Sequence, residues 1–164
     1  MADKSKFTPF AIIAKPVRYI RDLAMLPKEA PELAKRAENA ARAKYQNSEQ
    51  WLGEGDAFRH MAWQALMTQK YGRVPAAIAG YAHELGLGGP LGNPDQTDRE
   101  EQMDLANNAI GRDIGAKYEN VNDMMKALEE AIATRKAQYL DESQRRGYKH
   151  MLFNNQLPED TQNY

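Results

Sequence analysis

The sequence predicts an all-α fold: one compact domain built as a helical bundle of about five to six helices. Almost every segment carries apolar residues at helical spacing, and none sustains the alternation of a strand. Glycine and proline fall between these segments, where they punctuate helices. The 164 residues are enough for a single core, since a domain of this size buries roughly 70% of its unfolded surface.

Pro16 suits the first turn of a short helix running to about Leu26. Pro27 and Pro31 mark a connection. Residues 32–46 are rich in Ala, Lys, Arg and Glu, which favour helix. Gly53 and Gly55 break that pattern. Asp56 is an N-cap or first-turn residue for a helix to about Tyr71, with Gly72 as its stop. Pro75 opens the next helix, which ends near Leu85 before Gly86. Residues 86–97 are dense in Gly and Pro and predict a loop, either a lid or a plain connector. Thr97 and Glu100 match a capping box for a helix running past Gly111 to about Lys117. Asn122 is the expected cap of a helix to about Tyr139. Asp141 or Ser143 opens a last helix ending around Phe153. The expected organisation is a basic apolar arm over 1–28, a helical domain over 29–157 and a polar tail over 158–164.

Composition narrows the chemistry. There is no cysteine, so disulfides and thiolate metal sites are excluded. Net charge is −1, which gives no strong nucleic-acid signal. Residues 1–28 nevertheless carry six basic and two acidic side chains, a net of +4, which leaves −5 for the rest. Residues 7–26 are apolar but interrupted by Pro9, Lys15, Pro16, Arg18 and Arg21, too short and too charged to span a membrane. They lack a signal-peptide pattern. A docked arm, or an amphipathic segment contacting a membrane or a protein partner, is expected there. The expected location is the cytoplasm, or a virion or secreted protein without a classical signal peptide.

Three short patches place polar groups among apolar helix formers: Gly55-Asp56-Ala57-Phe58-Arg59-His60, Ala82-His83-Glu84, and Met103-Asp104 with Asn107-Asn108. Asp56 and His60 are four apart, as are Asp104 and Asn108, so each pair shares a helix face. Neighbouring helices can aim such pairs into a shared core, as helical carboxylate–histidine metal sites do. His60, His83 and Asp104, supported by Asp56 and Asn108, are the candidate ligands of a divalent Zn, Mn or Fe ion. His83 and Glu84 are the candidate catalytic pair, with Glu84 as general base or as a second-shell partner. Arg59 and Arg112 are the candidates for an anionic substrate group. Each residue also has a structural reading: Asp56 as a cap, His60 as a core histidine, Glu84 as a solvated helix-end residue, Asp104 and Asn108 as partners of the loop backbone, and Arg59 as an ordinary ion-pair partner. Trp63, Leu66, Met67 and Tyr71 read as core. His150, beside Arg145, Arg146 and Lys149, reads as surface.

The pattern Gly55–His60, Ala82-His83-Glu84, Met103-Asp104, Asn107-Asn108 and Gly111-Arg112 resembles a poorly characterised helical domain of bacteria and phages, found alone and in toxin-like or secreted proteins. The resemblance covers about residues 53–115 and implies a hydrolase-like polar site. The order His60, His83-Glu84, Asp104 also resembles the HD-domain metal phosphohydrolases, although Glu84 stands where that family has Asp. The function these readings imply is a metal-dependent hydrolase of phosphoester type. Alternatives are a phage or effector hydrolase acting on peptidoglycan or lipid, and a noncatalytic structural or interaction protein that uses its N-terminal arm.

Overall fold

A computed structural model describes residues 29–84 and 98–147. The N-terminal arm, its run over 7–26, the loop over 86–97, His150 and the tail over 158–164 lie outside those residues. Among the described residues the fold is all-α. Helix α1 covers 29–44, α2 Glu54–Tyr71, α3 Arg73–Glu84, α4 Asp98–Lys117, α5 Val121–Ala133 and α6 142–147. A short 3-10 turn spans Asn47–Glu49. No strand occurs among the described residues, and none of their helices is long and apolar enough to cross a membrane.

Helix α1 presents Ala30, Leu33, Ala37 and Ala41 to the core at helical spacing. It is already helical at residue 29, ahead of the expected start. Pro31 sits in its first described turn, where a missing N–H costs little. Helix α2 is the centre of the molecule, buried on nearly all sides and packed on α3, α4 and α5. It ends where Gly72 takes φ 89° and donates its N–H to the Thr68 carbonyl. Helix α5 is capped by Asn120, whose side chain accepts from the amides of Asn122 and Asp123. The cap therefore lies two residues before the expected Asn122. The helix also stops at Ala133 rather than near Tyr139. Arg135 adopts φ 56°, and the chain turns so that the Leu140 amide donates to the Leu52 carbonyl at 2.7 Å. Asp141 and Gln144 form the cap of α6, each side chain accepting from the other's backbone amide.

The approach of α2 to α4 is set by glycine. A Cβ on Gly111 would lie 2.7 Å from the Met61 Cα, and one on Gly115 would lie 2.5 Å from the Ala65 carbonyl oxygen. Only a residue without a side chain permits backbones to approach this closely. The same two helices carry most of the polar residues singled out above.

Candidate metal centre

Helix α2 carries Asp56, His60, Gln64 and Thr68 at successive intervals of four, a stripe about 18 Å long on one face. Helix α4 faces it with Asp104, Asn108 and Arg112 at the same interval. All seven are buried, and Glu84 at the end of α3 joins them. The centre of this fold is thus a polar seam inside an apolar shell. Several buried atoms along it have no hydrogen-bond partner in the protein: Glu84 Oε2, Asn108 Oδ1, Gln64 Nε2 and Thr68 Oγ1. Buried polar atoms of this kind ordinarily take a partner from water or an ion.

The three patch carboxylates all meet at His60. Its Nε2 lies 3.3 Å from Asp104 Oδ1 and 3.7 Å from Asp56 Oδ1. Its Nδ1 lies 3.4 Å from Glu84 Oε1. Asp56 is fixed twice: the Leu52 amide donates to its Oδ2 at 2.7 Å, and Arg59 donates to its Oδ1 at 2.6 Å. The Glu84 Oε1 accepts from the Asn108 amide at 2.8 Å. The same Arg59 nitrogen lies 2.6 Å from His60 Nε2. A guanidinium can only donate, so Nε2 must be the accepting nitrogen and the ring proton belongs on Nδ1, facing Glu84. Glu84 thereby fixes the tautomer that leaves Nε2 open to a cation.

The electrostatics of the cluster are lopsided. Asp56, Glu84 and Asp104 bring three carboxylates against the single guanidinium of Arg59, an excess of two negative charges in a buried site. Burial raises the Asp56 carboxyl, but Arg59, His60 and the Leu52 amide outweigh it and hold the pKa below its ordinary value. Glu84 is likewise lowered against burial by His60, His83 and Asn108. The Arg59 pKa is raised, since Asp56, Asp104 and Glu84 overcome the burial that works against its charge. Asp104 is left with the imbalance. Burial first, with Asp56 and Glu84 repelling its charge against the pull of His60 and Arg59, pushes it up to about 7.

Asp56, His60 and Asp104 each offer one ligand atom, all within 4.8 Å of one another and all buried. A metal bonding at 2.0–2.2 Å in tetrahedral geometry holds its ligand atoms roughly 3.4 Å apart, close to the 3.3 and 3.7 Å found around Nε2. The charge excess equals that of one dication. Donor type, spacing and charge all fit a single divalent ion.

The other expected site residues are placed apart from this triad. The His83 ring stands 6.0 Å from that of His60 and edge-on to Trp63 at 5.4 Å. It lines a cleft of about 410 Å³ with Arg59, Trp63, Glu38, Lys35 and Pro31. Asn108 contacts Glu84 rather than the triad, and Arg112 donates to Gln64 at 3.0 Å one turn further along the seam. Burial lowers the Arg112 pKa. Asn107 turns the other way and clamps the Gln138 backbone, donating to its carbonyl and accepting from its amide at 2.8 Å each. Sequence reasoning missed Gln64 and Thr68, although their spacing from His60 continues the stripe. It also missed Lys35 and Glu38, for which no local signal exists. Trp63, expected as core, is buried but also lines the cleft, and its indole N–H has no protein acceptor.

Fold and site together define an all-α protein with a histidine–carboxylate cluster at the junction of three helices. The chain belongs to the family described as a domain of unknown function (DUF6973), whose model matches residues 23–144 and so contains the whole cluster and cleft. Neither the curated proteins nor the solved structures gave a match.

Proposed function

We propose that this chain is a metal-dependent hydrolase of phosphoester type, with the metal held by Asp56, His60 and Asp104. The observation that carries the proposal is the buried triad, whose three ligand atoms converge within 4.8 Å in a site where three carboxylates face one guanidinium. A divalent ion there would supply a Lewis acid and lower the pKa of water, as hydrolysis at neutral pH requires. The chain's own groups do the rest. Glu84, 3.4 Å from Nδ1, orients His60 and is held in turn by Asn108, which makes both positioning residues. The 410 Å³ cleft beside the cluster has the size of a small-molecule site. Lys35, Arg59 and His83 on its wall suit an anionic ester. Glu38, its acidic lining residue, is already paired with Arg42 at 2.8 Å.

A second reading is favoured by the Arg59 contacts. A guanidinium 2.6 Å from both Asp56 and His60 satisfies part of the cluster without any metal, so the same residues would make a structural network in a noncatalytic protein. Turnover of phosphomonoester and phosphodiester substrates with Mn²⁺, Zn²⁺ or Fe²⁺ separates the two. The hydrolase reading expects activity that needs metal and is lost in His60→Gln. Absence of turnover with every metal, in a folded protein that binds none, favours the network.

A further inference from the structure

We propose that Arg59 is a placeholder cation, seated on Asp56 and His60 while no metal is bound and turned into the neighbouring cleft by a divalent metal, where it takes an anionic group of the substrate. The inference rests on the metal reading above and deepens it.

A neutral imidazole has a single accepting nitrogen, and in this chain Arg59 already donates to it at 2.6 Å. A metal bonding to Nε2 needs that same lone pair. Metal and guanidinium therefore exclude one another at His60, and the site must exchange one cation for the other. Asp56 Oδ1 has lone pairs for both, so the exclusion is set at His60, although the same Arg59 nitrogen lies 2.6 Å from that oxygen and leaves with the displaced guanidinium.

The structure also offers the displaced side chain a destination. Arg59 already forms part of the cleft wall, and its side chain is 33% exposed, so a swing of its outer bonds needs no backbone movement. Lys35 and His83 line the same cleft, and the Trp63 indole N–H is buried with no protein acceptor. Glu38 offers Arg59 little, because Arg42 holds it. A guanidinium arriving beside Lys35 adds like charge to like, which is unfavourable until an anion enters. The fork of an arginine, an ammonium and an indole N–H together suit a phosphate-type dianion. Metal and anion binding should then reinforce one another, and by equal factors in both directions.

The test is calorimetric titration of the metal-stripped full chain with Mn²⁺, with and without phenylphosphonate as a non-hydrolysable anion. Wild type should bind Mn²⁺ at least roughly fivefold tighter when phenylphosphonate is saturating, the lower end of ordinary coupling. Arg59→Gln should bind Mn²⁺ alone roughly ten- to hundredfold tighter than wild type, because removing the competing cation frees two charge-assisted contacts. It should also lose the coupling to phenylphosphonate. Thermal melting checks the fold, and Arg59→Met, which keeps the packing of the stem, replaces the glutamine variant if that one fails to fold. Equal Mn²⁺ affinity in wild type and variant overturns the placeholder and leaves the metal centre standing. Coupling of wild-type size in the variant overturns the anion role. No Mn²⁺ binding by either protein overturns the metal reading and this inference with it.

Discussion

Gly111→Ala should damage both the fold and the site, against its local helix propensity. In an exposed helix the change is favourable by about 1 kcal/mol. Here the new Cβ lies 2.7 Å from the Met61 Cα, and ordinary contact begins at 3.4 Å, so α2 and α4 must part by at least 0.7 Å. The obstacle is backbone on both sides and no rotamer relieves it. Overpacking of this kind costs roughly 1–3 kcal/mol and occasionally more, and the rigidity of both partners puts this case at the upper end. A net loss of about 2 kcal/mol is expected after the propensity gain. For a chain of this length that lowers the melting temperature by about 4–8 °C. The same displacement pulls Asp104 on α4 away from His60 on α2, now 3.3 Å apart, so metal affinity should fall as well. Gly147→Ala is the control, since nothing lies within 4 Å of a Cβ at that position. It should be neutral or slightly stabilising. Urea denaturation followed by circular dichroism reads both. A Gly111→Ala protein as stable as wild type refutes the claim that backbone contact between α2 and α4 sets the spacing of the site.

Four further outcomes follow from the same geometry. Glu84→Gln should weaken metal binding roughly 10–100-fold, as loss of an outer-shell partner does, with the helical spectrum unchanged; an undiminished affinity in titration removes Glu84 from the orienting role. Metal-free protein should lose stability as pH rises from about 4.5 to about 7, because Asp104 is raised to about 7 from 3.8, binds its proton in the folded state and surrenders it in the unfolded one. Asp56 and Glu84, both lowered, contribute with the opposite sign and act below that window. Asp104→Asn should flatten the profile between those limits, as measured by denaturation across pH, and a slope that persists places the titration elsewhere. Asn107→Ala removes two part-buried hydrogen bonds to Gln138 and should cost about 1–2 kcal/mol of stability while leaving metal affinity unchanged, which a melt and a titration on one preparation decide.

Much of the fold could be read from punctuation. Gly72, Pro75 and Asp141 each mark a helix end by a mechanism local to a few residues; Gly72 and Pro75 fall as expected, and of the two expected openers of the last helix, Asp141 and Ser143, it is Asp141 that caps it. The end of α5 was not legible. Helical periodicity continues toward Tyr139, but Arg135 takes φ 56° and the Ala137 amide folds back to the Ala131 carbonyl, a left-handed stop made without the glycine that would signal it. The candidate site divides in the same way. Spacing of four put Asp56 with His60 and Asp104 with Asn108, and each pair does share a buried face. Which of His83 and Glu84 faces the cluster depends on the rotation of α3, fixed by Ala76, Ala79 and Gly80 against α2, and adjacent residues differ by about 100° in direction. Arg59 was legible as a partner of Asp56 three residues away. Its contact with adjacent His60 was not, since neighbours in a helix do not face each other and only the length of the arginine lets it fold back.

The proposed function requires that Asp56, His60 and Asp104 hold one divalent ion. Titration of metal-stripped protein with Zn²⁺ and Mn²⁺, run in parallel on wild type and Asp104→Asn at pH 6, tests it directly. The account predicts one ion per chain, with a proton released as Asp104 ionises, and weaker binding without proton release in the variant. Binding that is absent, or equal in the two proteins, contradicts it.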